Sequence, residues 1–203
     1  VLSASFIPTY SRLRAGGRTL EASTTAKEIG KLLLWLTLSL SFLGVILSDT
    51  LVDIFAGGFN PEAKELTRKL IVLMFPATGF LVLSAWCLGI LNSHRYFSLS
   101  YSAPVVWNLT IILGLKFYTN DKSLAESALL TAQLFLFGSL LQFLIQVPKT
   151  FSLIKNQNSK VYYLSLKVSP PTKEVIKTFP PVLLGRGLIQ ISAYLDTIIS
   201  SFL

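Results

Sequence analysis

The stretch LIVLMFPATGFLVLSAWCLGIL, residues 70–91, decides the fold class, because its 22 residues include no charged side chain. A helix rises 1.5 Å per residue, so roughly 20 apolar residues cross a hydrocarbon core about 30 Å thick. Inside a bilayer every backbone N–H and C=O group needs an internal partner, and a helix supplies these partners within one segment. Residues 70–91 are therefore predicted to form a transmembrane helix.

Further apolar blocks lie on both sides of this stretch. The predicted full spans are residues 32–56, 96–115, 127–148 and 179–203, and residues 1–10 are expected to be the end of a further span. These blocks are too long and too continuous for the alternating strands of a membrane barrel. The predicted fold class is therefore all-α, a polytopic transmembrane helical bundle with about six spans. We interpret both chain ends as truncations of a longer protein.

The composition agrees with a membrane protein. Hydrophobic residues make up 52% of the 203 residues and charged residues 14%, whereas soluble domains carry about 25% charged residues. The mean hydropathy is +0.61. The net charge of +8 comes from bases that lie between the apolar blocks. This distribution favours loops that face anionic lipid headgroups over a nucleic-acid-binding surface, so we expect no nucleic-acid partner.

The distribution of lysine and arginine predicts the topology. Residues 11–31, 92–95 and 149–177 hold 12 of the 18 basic residues, and these loops fall on one side if every block crosses the membrane. Because cytoplasmic loops carry the excess of lysine and arginine, these three loops are predicted to be cytoplasmic. Residues 149–177 form the largest of the loops and are a candidate linker.

Two ionisable residues lie inside the last predicted span. Arg186 and Asp196 are ten residues apart, about 80° apart around a helix axis, so both can face one cavity. Charges within spans are costly and usually face the protein interior, which makes both residues candidates for a substrate pathway. For Arg186 the alternative is a side chain that extends to the membrane interface. Gln190 and Asn108 are neutral candidates for the same pathway, with interhelical hydrogen bonding as the alternative.

Two prolines lie inside predicted spans. Pro76 and Pro104 each remove one backbone hydrogen bond and are expected to kink their helices. Membrane helices tolerate such a residue where neighbours or a water-filled cavity satisfy the released carbonyl. The bend can shape a cavity or a moving gate, or it can be a static packing feature. Both interpretations remain open from the sequence.

Small and neutral polar residues within the blocks predict helix–helix contacts. Gly79 and Gly89 allow close approach of helices. Gln133, Gln142 and Gln146 are expected to form hydrogen bonds between helices, because amides in hydrocarbon need partners.

The sequence also argues against most catalytic and metal sites. One cysteine, Cys87, and one histidine, His94, allow neither an intrachain disulfide nor a zinc site. The sequence contains no nucleotide-binding glycine pattern and no pair of intramembrane carboxylates. These absences argue against a membrane-embedded enzyme, and we predict no metal and no cofactor. The sequence leaves the identity of any coupling ion open.

Five groups of short phrases follow one another along the chain. They are Ser5-Phe6-Ile7-Pro8; Phe75-Pro76 with Gly89-Ile90-Leu91-Asn92-Ser93; Arg95-Tyr96-Phe97-Ser98 with Ala103-Pro104 and Asn108; Gln142 with Gln146-Val147-Pro148; and Pro181-Val182-Leu183-Leu184-Gly185 with Gln190-Ile191, Asp196-Thr197 and Ser200-Ser201-Phe202-Leu203. Their joint order and spacing resemble the MurJ/MviN family of lipid II flippases. That family belongs to a superfamily with the MATE exporters and polysaccharide flippases.

The resemblance implies a protein of roughly fourteen helices, in which residues 1–203 are the second to seventh helices of the N-terminal lobe. It implies translocation of undecaprenyl-linked peptidoglycan precursor, lipid II, across the bacterial inner membrane by alternating access, for cell-wall synthesis. The partners implied are this lipid-linked precursor, membrane lipids and the C-terminal lobe. The cavity arginines of the family lie in helices outside this chain, so no residue here is assigned their role.

Three alternatives to lipid II translocation remain open. Within the superfamily, the alternative is a polysaccharide-lipid flippase or a MATE-type drug or cation exporter. A membrane-embedded glycosyltransferase is less well supported, and it would require a carboxylate cluster outside this chain. A non-catalytic membrane scaffold would show no dependence on substrate.

Overall fold

The computed structural model describes residues 2–118, 123–155, 168–181 and 184, with side chains from residue 5 onward. Throughout these ranges the regular structure is helical, without strands, which confirms the predicted all-α class. The helices are α1 (Leu2–Ala15), α2 (Thr19–Ile46), α3 (Ser48–Phe55), α4 (Pro61–Ser93), α5 (Phe97–Tyr118), α6 (Leu124–Ile154) and α7 (residues 170–181).

Four of these helices, α2, α4, α5 and α6, are long and apolar enough to cross a membrane. The predicted spans at residues 70–91 and 127–148 lie within α4 and α6, and the span at residues 96–115 lies within α5 except for residue 96. Large apolar side chains such as Trp35 and Phe42 are about two-thirds exposed on α2. That exposure suits a helix whose outer surface is solvated by lipid rather than water. The predicted span at residues 179–203 lies mostly outside the described residues.

The helices extend well past the apolar blocks, so the loops inferred from charge are shorter than predicted. α2 begins at Thr19 and α6 continues to Ile154, and within the predicted loop at residues 11–31 the turn is confined to residues 16–18. The physical reason is that the apolar segment already forms the helix nucleus, so each polar residue added in water extends the helix without a new nucleation cost. Hydropathy therefore predicts which residues lie in the bilayer, and it does not predict where a helix ends.

The predicted span at residues 32–56 is divided between two helices. α2 ends at Ile46 and α3 begins at Ser48, with Leu47 between them at φ −88° and ψ 10°. The Leu47 amide donates to the Leu43 carbonyl at 2.8 Å and the Leu47 carbonyl accepts from the Leu51 amide at 2.9 Å. The backbone groups of Leu47 therefore stay paired across the break.

Side-chain caps fix the starts of two long helices. The Asn60 side chain accepts from the Ala63 amide at 2.8 Å, and Pro61 follows at the first helical position of α4. Before α6, Ser123 and Glu126 form a reciprocal pair in which each backbone amide donates to the side chain of the other, at 2.8 and 3.3 Å. These caps satisfy amides that the helices leave unpaired.

The chain divides into two compact units, Val1–Ile29 with Ile154–Leu203, and Gly30–Leu153. Within the second unit, α2 approaches α4 closely because two glycines of α2 leave room for aromatic rings. A Cβ atom at Gly30 would lie 2.7 Å from the Trp86 ring, and one at Gly44 would overlap the Phe75 ring. Gly79 of α4 lies against Ser41, as expected for a position of close helix approach.

Candidate functional site

A cluster of polar side chains is buried between α4 and α6 in the second unit. The amide nitrogens of Gln142 and Gln146 both donate to the Ser84 hydroxyl oxygen, at 2.9 and 2.8 Å. Ser84 and Gln146 are fully buried, and Gln142 is 7% exposed. The predicted interhelical hydrogen bonding of the two glutamines is therefore confirmed. Gln133, the third predicted member, is exposed on α6.

The amide oxygens of this cluster remain available. Gln142 Oε1 and Gln146 Oε1 have no hydrogen-bond partner within the part of the chain that the structure describes. Their four-residue spacing places them one turn apart on the same face of α6. Two neutral acceptors can take hydrogen bonds from a water molecule or a polar neighbour. The three hydrogen-bonded side chains of this cluster, Ser84, Gln142 and Gln146, are uncharged.

An apolar groove of about 350 Å³ lies between α2 and α4 in the same unit. Its lining residues are Thr37, Leu40, Ser41, Met74, Phe75, Thr78, Gly79 and Val82. Three of these carry hydroxyl groups, yet each hydroxyl donates to a helix carbonyl, Thr37 to Leu34, Ser41 to Phe75 and Thr78 to Met74. The groove therefore presents hydrocarbon to its contents, which suits a lipid chain.

The two intramembrane prolines lie in continuous helices. Pro76 of α4 lies directly after Phe75, a lining residue of the groove, and directly before Ala77, which is fully buried. In α5, Asn108 donates its side-chain amide to the Pro104 carbonyl at 3.0 Å. Asn108 is exposed on α5, and its amide donor serves its own helix. The substrate-pathway role of Asn108 and the gating role of the prolines stay predictions.

Three further predicted pathway residues lie outside the described residues. These are Arg186, Gln190 and Asp196. Their assignment to a substrate pathway stays a prediction, and it rests on their position in the last predicted span.

In the first unit, polar contacts join α7 to α1 and α2. The Arg12 guanidinium donates to both carboxylate oxygens of Glu174, at 2.8 and 2.6 Å. The Glu28 carboxylate accepts from the Ser169 amide and hydroxyl, at 3.1 and 2.7 Å. These pairs are not predictable from the sequence, because acids contribute little to topology and the Arg12 and Glu174 pair spans 162 positions.

A second cavity of about 350 Å³ lies in the first unit, between the start of α2 and the start of α7. It is lined by Arg18 and Glu21, which form a two-point ion pair at 2.7 and 2.5 Å, and by Pro170 and Pro171. The hydrogen bond from Arg18 holds the pKa of the Glu21 carboxyl below its ordinary value. The charge of Arg18 is paired with that of Glu21, and Pro170 and Pro171 have no backbone N–H group to donate. This cavity therefore offers little attraction for an anion.

The described residues contain no group of three or more histidine, cysteine, aspartate or glutamate side chains that could hold a metal ion. The polar sites that are present consist of amides, hydroxyls and paired charges.

Four long apolar helices, with buried polar groups that bond between helices, define a polytopic α-helical membrane protein. The family model described as lipid II flippase MurJ matches residues 1–203. The chain therefore belongs to the MurJ lipid II flippase family.

Similar proteins come from several bacteria. The chain is 28% identical over 203 residues to the probable lipid II flippase MurJ of Buchnera aphidicola subsp. Acyrthosiphon pisum, covering 99% of this chain and 39% of that protein. The probable lipid II flippase MurJ of Buchnera aphidicola subsp. Schizaphis graminum is 31% identical over 163 residues, covering 79% of this chain and 30% of that protein. The lipid II flippase MurJ of Burkholderia cenocepacia is 25% identical over 201 residues, covering 98% of this chain and 39% of that protein. The chain thus spans about two-fifths or less of these relatives.

Proposed function

We propose that the protein containing this chain translocates undecaprenyl-linked peptidoglycan precursor, lipid II, from the inner to the outer leaflet of the bacterial cytoplasmic membrane. The observation that carries this proposal is the family match over all 203 residues. Membership is supported by helices of spanning length and by relatives that are themselves named lipid II flippases.

The proposed mechanism is rigid-body rocking of two lobes around a central cavity. Residues 1–203 would form part of the first lobe, and the remainder of the longer chain would supply the second. Arginines in the central cavity would hold the pyrophosphate of the lipid carrier, because guanidinium groups bind phosphate oxygens in pairs. Within this chain, Arg186 and Asp196 are the charged candidates for the pathway. Transport of this kind needs no cofactor, and it is compatible with a coupling ion.

The proposed orientation follows from the basic residues. Residues 11–31, 92–95 and 149–177 would lie in the cytoplasm of a multi-pass inner-membrane protein. The α1–α2 turn, the α4–α5 turn and the start of α7 would then share the cytoplasmic side. Lys149 contacts the Tyr96 ring at 4.1 Å, and this basic and aromatic pair suits a membrane interface on that side.

The test is depletion of the complete protein in its native cell, followed by a probe for lipid II on the outer face of the inner membrane. We expect the outward-facing lipid II to fall while the inner pool rises, and the complete gene supplied in trans to restore both. An unchanged outward pool would refute lipid II translocation. A fall in another outward-facing lipid-linked sugar would then favour a polysaccharide-lipid exporter of the same superfamily.

A matched pair of variants separates the pathway from general surface charge. Arg186→Gln removes a charge within the last predicted span, and Lys177→Gln removes a charge from an exposed position of α7. At equal membrane abundance, we expect the first variant to lose outward lipid II and the second to retain it. Equal activity of the two variants would remove Arg186 from the pathway.

A further inference from the structure

The short helix α3 has two faces of different chemistry. Asp49 and Asp53 lie one turn apart on one side of the helix, and their side chains are mostly exposed. Ile54 and Phe55 lie on the other side, centred about 170° around the helix axis from the two aspartates. Within the part of the chain that the structure describes, Phe55 is 82% exposed and Ile54 is 68% exposed. Such an apolar surface needs a cover of lipid or protein, and the position of α3 decides between them.

The charged face of α3 lies against the first turns of α4. Lys64 Nζ lies 3.0 Å from the Asp53 carboxylate, and Arg68 Nε lies 3.6 Å from the Asp49 carboxylate. The later residue of α3 meets the earlier residue of α4, so the two helices run antiparallel at this point. The depth of α3 can therefore be measured along α4.

These two ion pairs place α3 just outside the apolar block of α4, residues 70–91. Because a helix rises 1.5 Å per residue, Arg68 lies about 3 Å outside the block and Lys64 about 9 Å outside it. The headgroup region on each side of a bilayer is roughly 5–8 Å thick. When the apolar block fills the hydrocarbon core, α3 lies at the level of the lipid headgroups.

The direction of the side chains brings the apolar face back toward the hydrocarbon core. Side chains on an α-helix lean toward the helix N-terminus. The N-terminus of α3 is its end nearer the apolar block, so Ile54 and Phe55 lean toward the acyl chains. The N-terminus of α4 is its outer end, so Lys64 and Arg68 lean toward water. Apolar and charged groups of the two helices thus separate across the membrane interface.

The exposed apolar surface of α3 is continuous with that of α2. Ile46 at the end of α2 is 56% exposed, and Leu47 between the two helices is 46% exposed. Leu47 lies seven residues before Ile54, which is two helical turns on the same side. Because the exposed surface of α2 suits lipid, the same lipid layer reaches α3 without a change in chemistry.

We propose that the apolar face of α3, formed by Leu47, Ile54 and Phe55, is a docking surface for phospholipids at the membrane interface. In the proposed orientation this interface belongs to the outer leaflet. The face carries no charged side chain, so it binds glycerol and acyl carbons and does not select the charge of the headgroup. Bound in this way, α3 fixes the depth of α2 and α4 in the bilayer, as interfacial aromatic residues do in other membrane proteins.

The experiment identifies the neighbours of this face by photo-crosslinking. The complete protein carries p-benzoylphenylalanine in place of Phe55, a change that keeps an aromatic ring, and is placed in phosphatidylcholine vesicles containing some phosphatidylglycerol. After illumination, mass spectrometry identifies each adduct as lipid or peptide. The matched control carries the same group in place of Glu62, which is exposed on α4. The antiparallel pairing of Asp53 with Lys64 places Glu62 at the level of Phe55, and its side chain leans toward water.

We expect severalfold more lipid adduct from position 55 than from position 62, with the two lipids in proportion to their shares of the vesicle. Equal yields from the two positions would overturn the proposal, because lipid contact would then be a property of the level and not of the face. Adducts with peptide would overturn it by showing that protein covers the face, and absence of adducts would show that water does. Marked selection of phosphatidylglycerol would overturn docking through apolar contact.

A second position keeps the inference testable if the first variant does not insert in membranes. The same group in place of Ile54 should also give lipid adducts, because Ile54 belongs to the same face. Lipid adducts from neither position would refute the docking surface. The inference depends on the membrane-spanning helices and not on the transported substrate, so refutation of lipid II translocation would leave its test unchanged.

Discussion

Replacement of Ser84 by alanine tests whether the cluster between α4 and α6 holds the second unit together. Ser84→Ala removes the acceptor of two amide donors, which lie 2.9 and 2.8 Å from the hydroxyl oxygen. Hydrogen bonds between membrane helices contribute about 0.6 kcal/mol on average and about 1.7 kcal/mol at most. Two such bonds predict a loss of about 1–3 kcal/mol in the free energy of unfolding.

The assay is unfolding of the complete protein in mixed micelles with increasing SDS, followed by circular dichroism. Ser100→Ala is the matched control, because Ser100 is also fully buried but donates to the carbonyl of Tyr96, the residue directly before its own helix α5. We expect the control to lose less than about 0.5 kcal/mol, since the acceptor keeps its backbone partner. Equal losses in the two variants would refute the role assigned to the interhelical bonds.

A triple replacement sharpens this prediction. Ser84→Ala with Gln142→Leu and Gln146→Leu removes donors and acceptor together, so no buried amide loses its partner. Replacing both sides of a buried hydrogen bond by apolar groups can be nearly neutral. The triple variant should therefore be more stable than Ser84→Ala with both glutamines retained. A triple variant that is less stable would show that the glutamines bond to groups other than Ser84.

Three other changes should have measurable effects. Gly44→Ala places a methyl group in the space of the Phe75 ring and should cost about 1–3 kcal/mol in the same unfolding assay, whereas Gly58→Ala meets open space and should cost far less. Asn60→Ala removes the α4 cap and should cost about 1 kcal/mol, with restoration by Asn60→Ser or Asn60→Asp; an unaffected alanine variant would contradict this. The hydrogen bond from Arg18 lowers the pKa of Glu21, so the pair stabilises the fold at pH values above the ordinary carboxyl pKa. This stabilisation is lost as the pH falls through the lowered pKa. Glu21→Gln should therefore remove that part of the pH dependence of the free energy of unfolding.

The sequence was sufficient for the spans at residues 70–91, 96–115 and 127–148, because their signal is local. Residues 70–91 carry their apolar length within one segment, and the helix at that position depends on no distant partner. The ends of the helices were not predictable in the same way. Thr19 begins α2 well before the apolar block, because extending an existing helix into water needs no new nucleation step.

The partners of the polar side chains depend on how the helices pack, and the neighbouring sequence does not determine them. Gln142 and Gln146 were expected to bond between helices, since an amide in hydrocarbon needs a partner, but the choice of Ser84 depends on how α4 and α6 pack. The pairing of Arg12 with Glu174 is harder still to predict from the sequence, because both residues resemble ordinary solvated charges. The residue types that need hydrogen-bond partners are predictable from the sequence, whereas the partners themselves are not.

The close contact of Gly44 with Phe75 has a consequence for how this family can vary. The space occupied by the Phe75 ring is the space that any side chain at position 44 would need. A larger residue at one position therefore requires a smaller residue at the other, and the two positions should change together among relatives. In this chain the same rule predicts that Phe75→Leu, itself a cavity-forming change, compensates for Gly44→Ala.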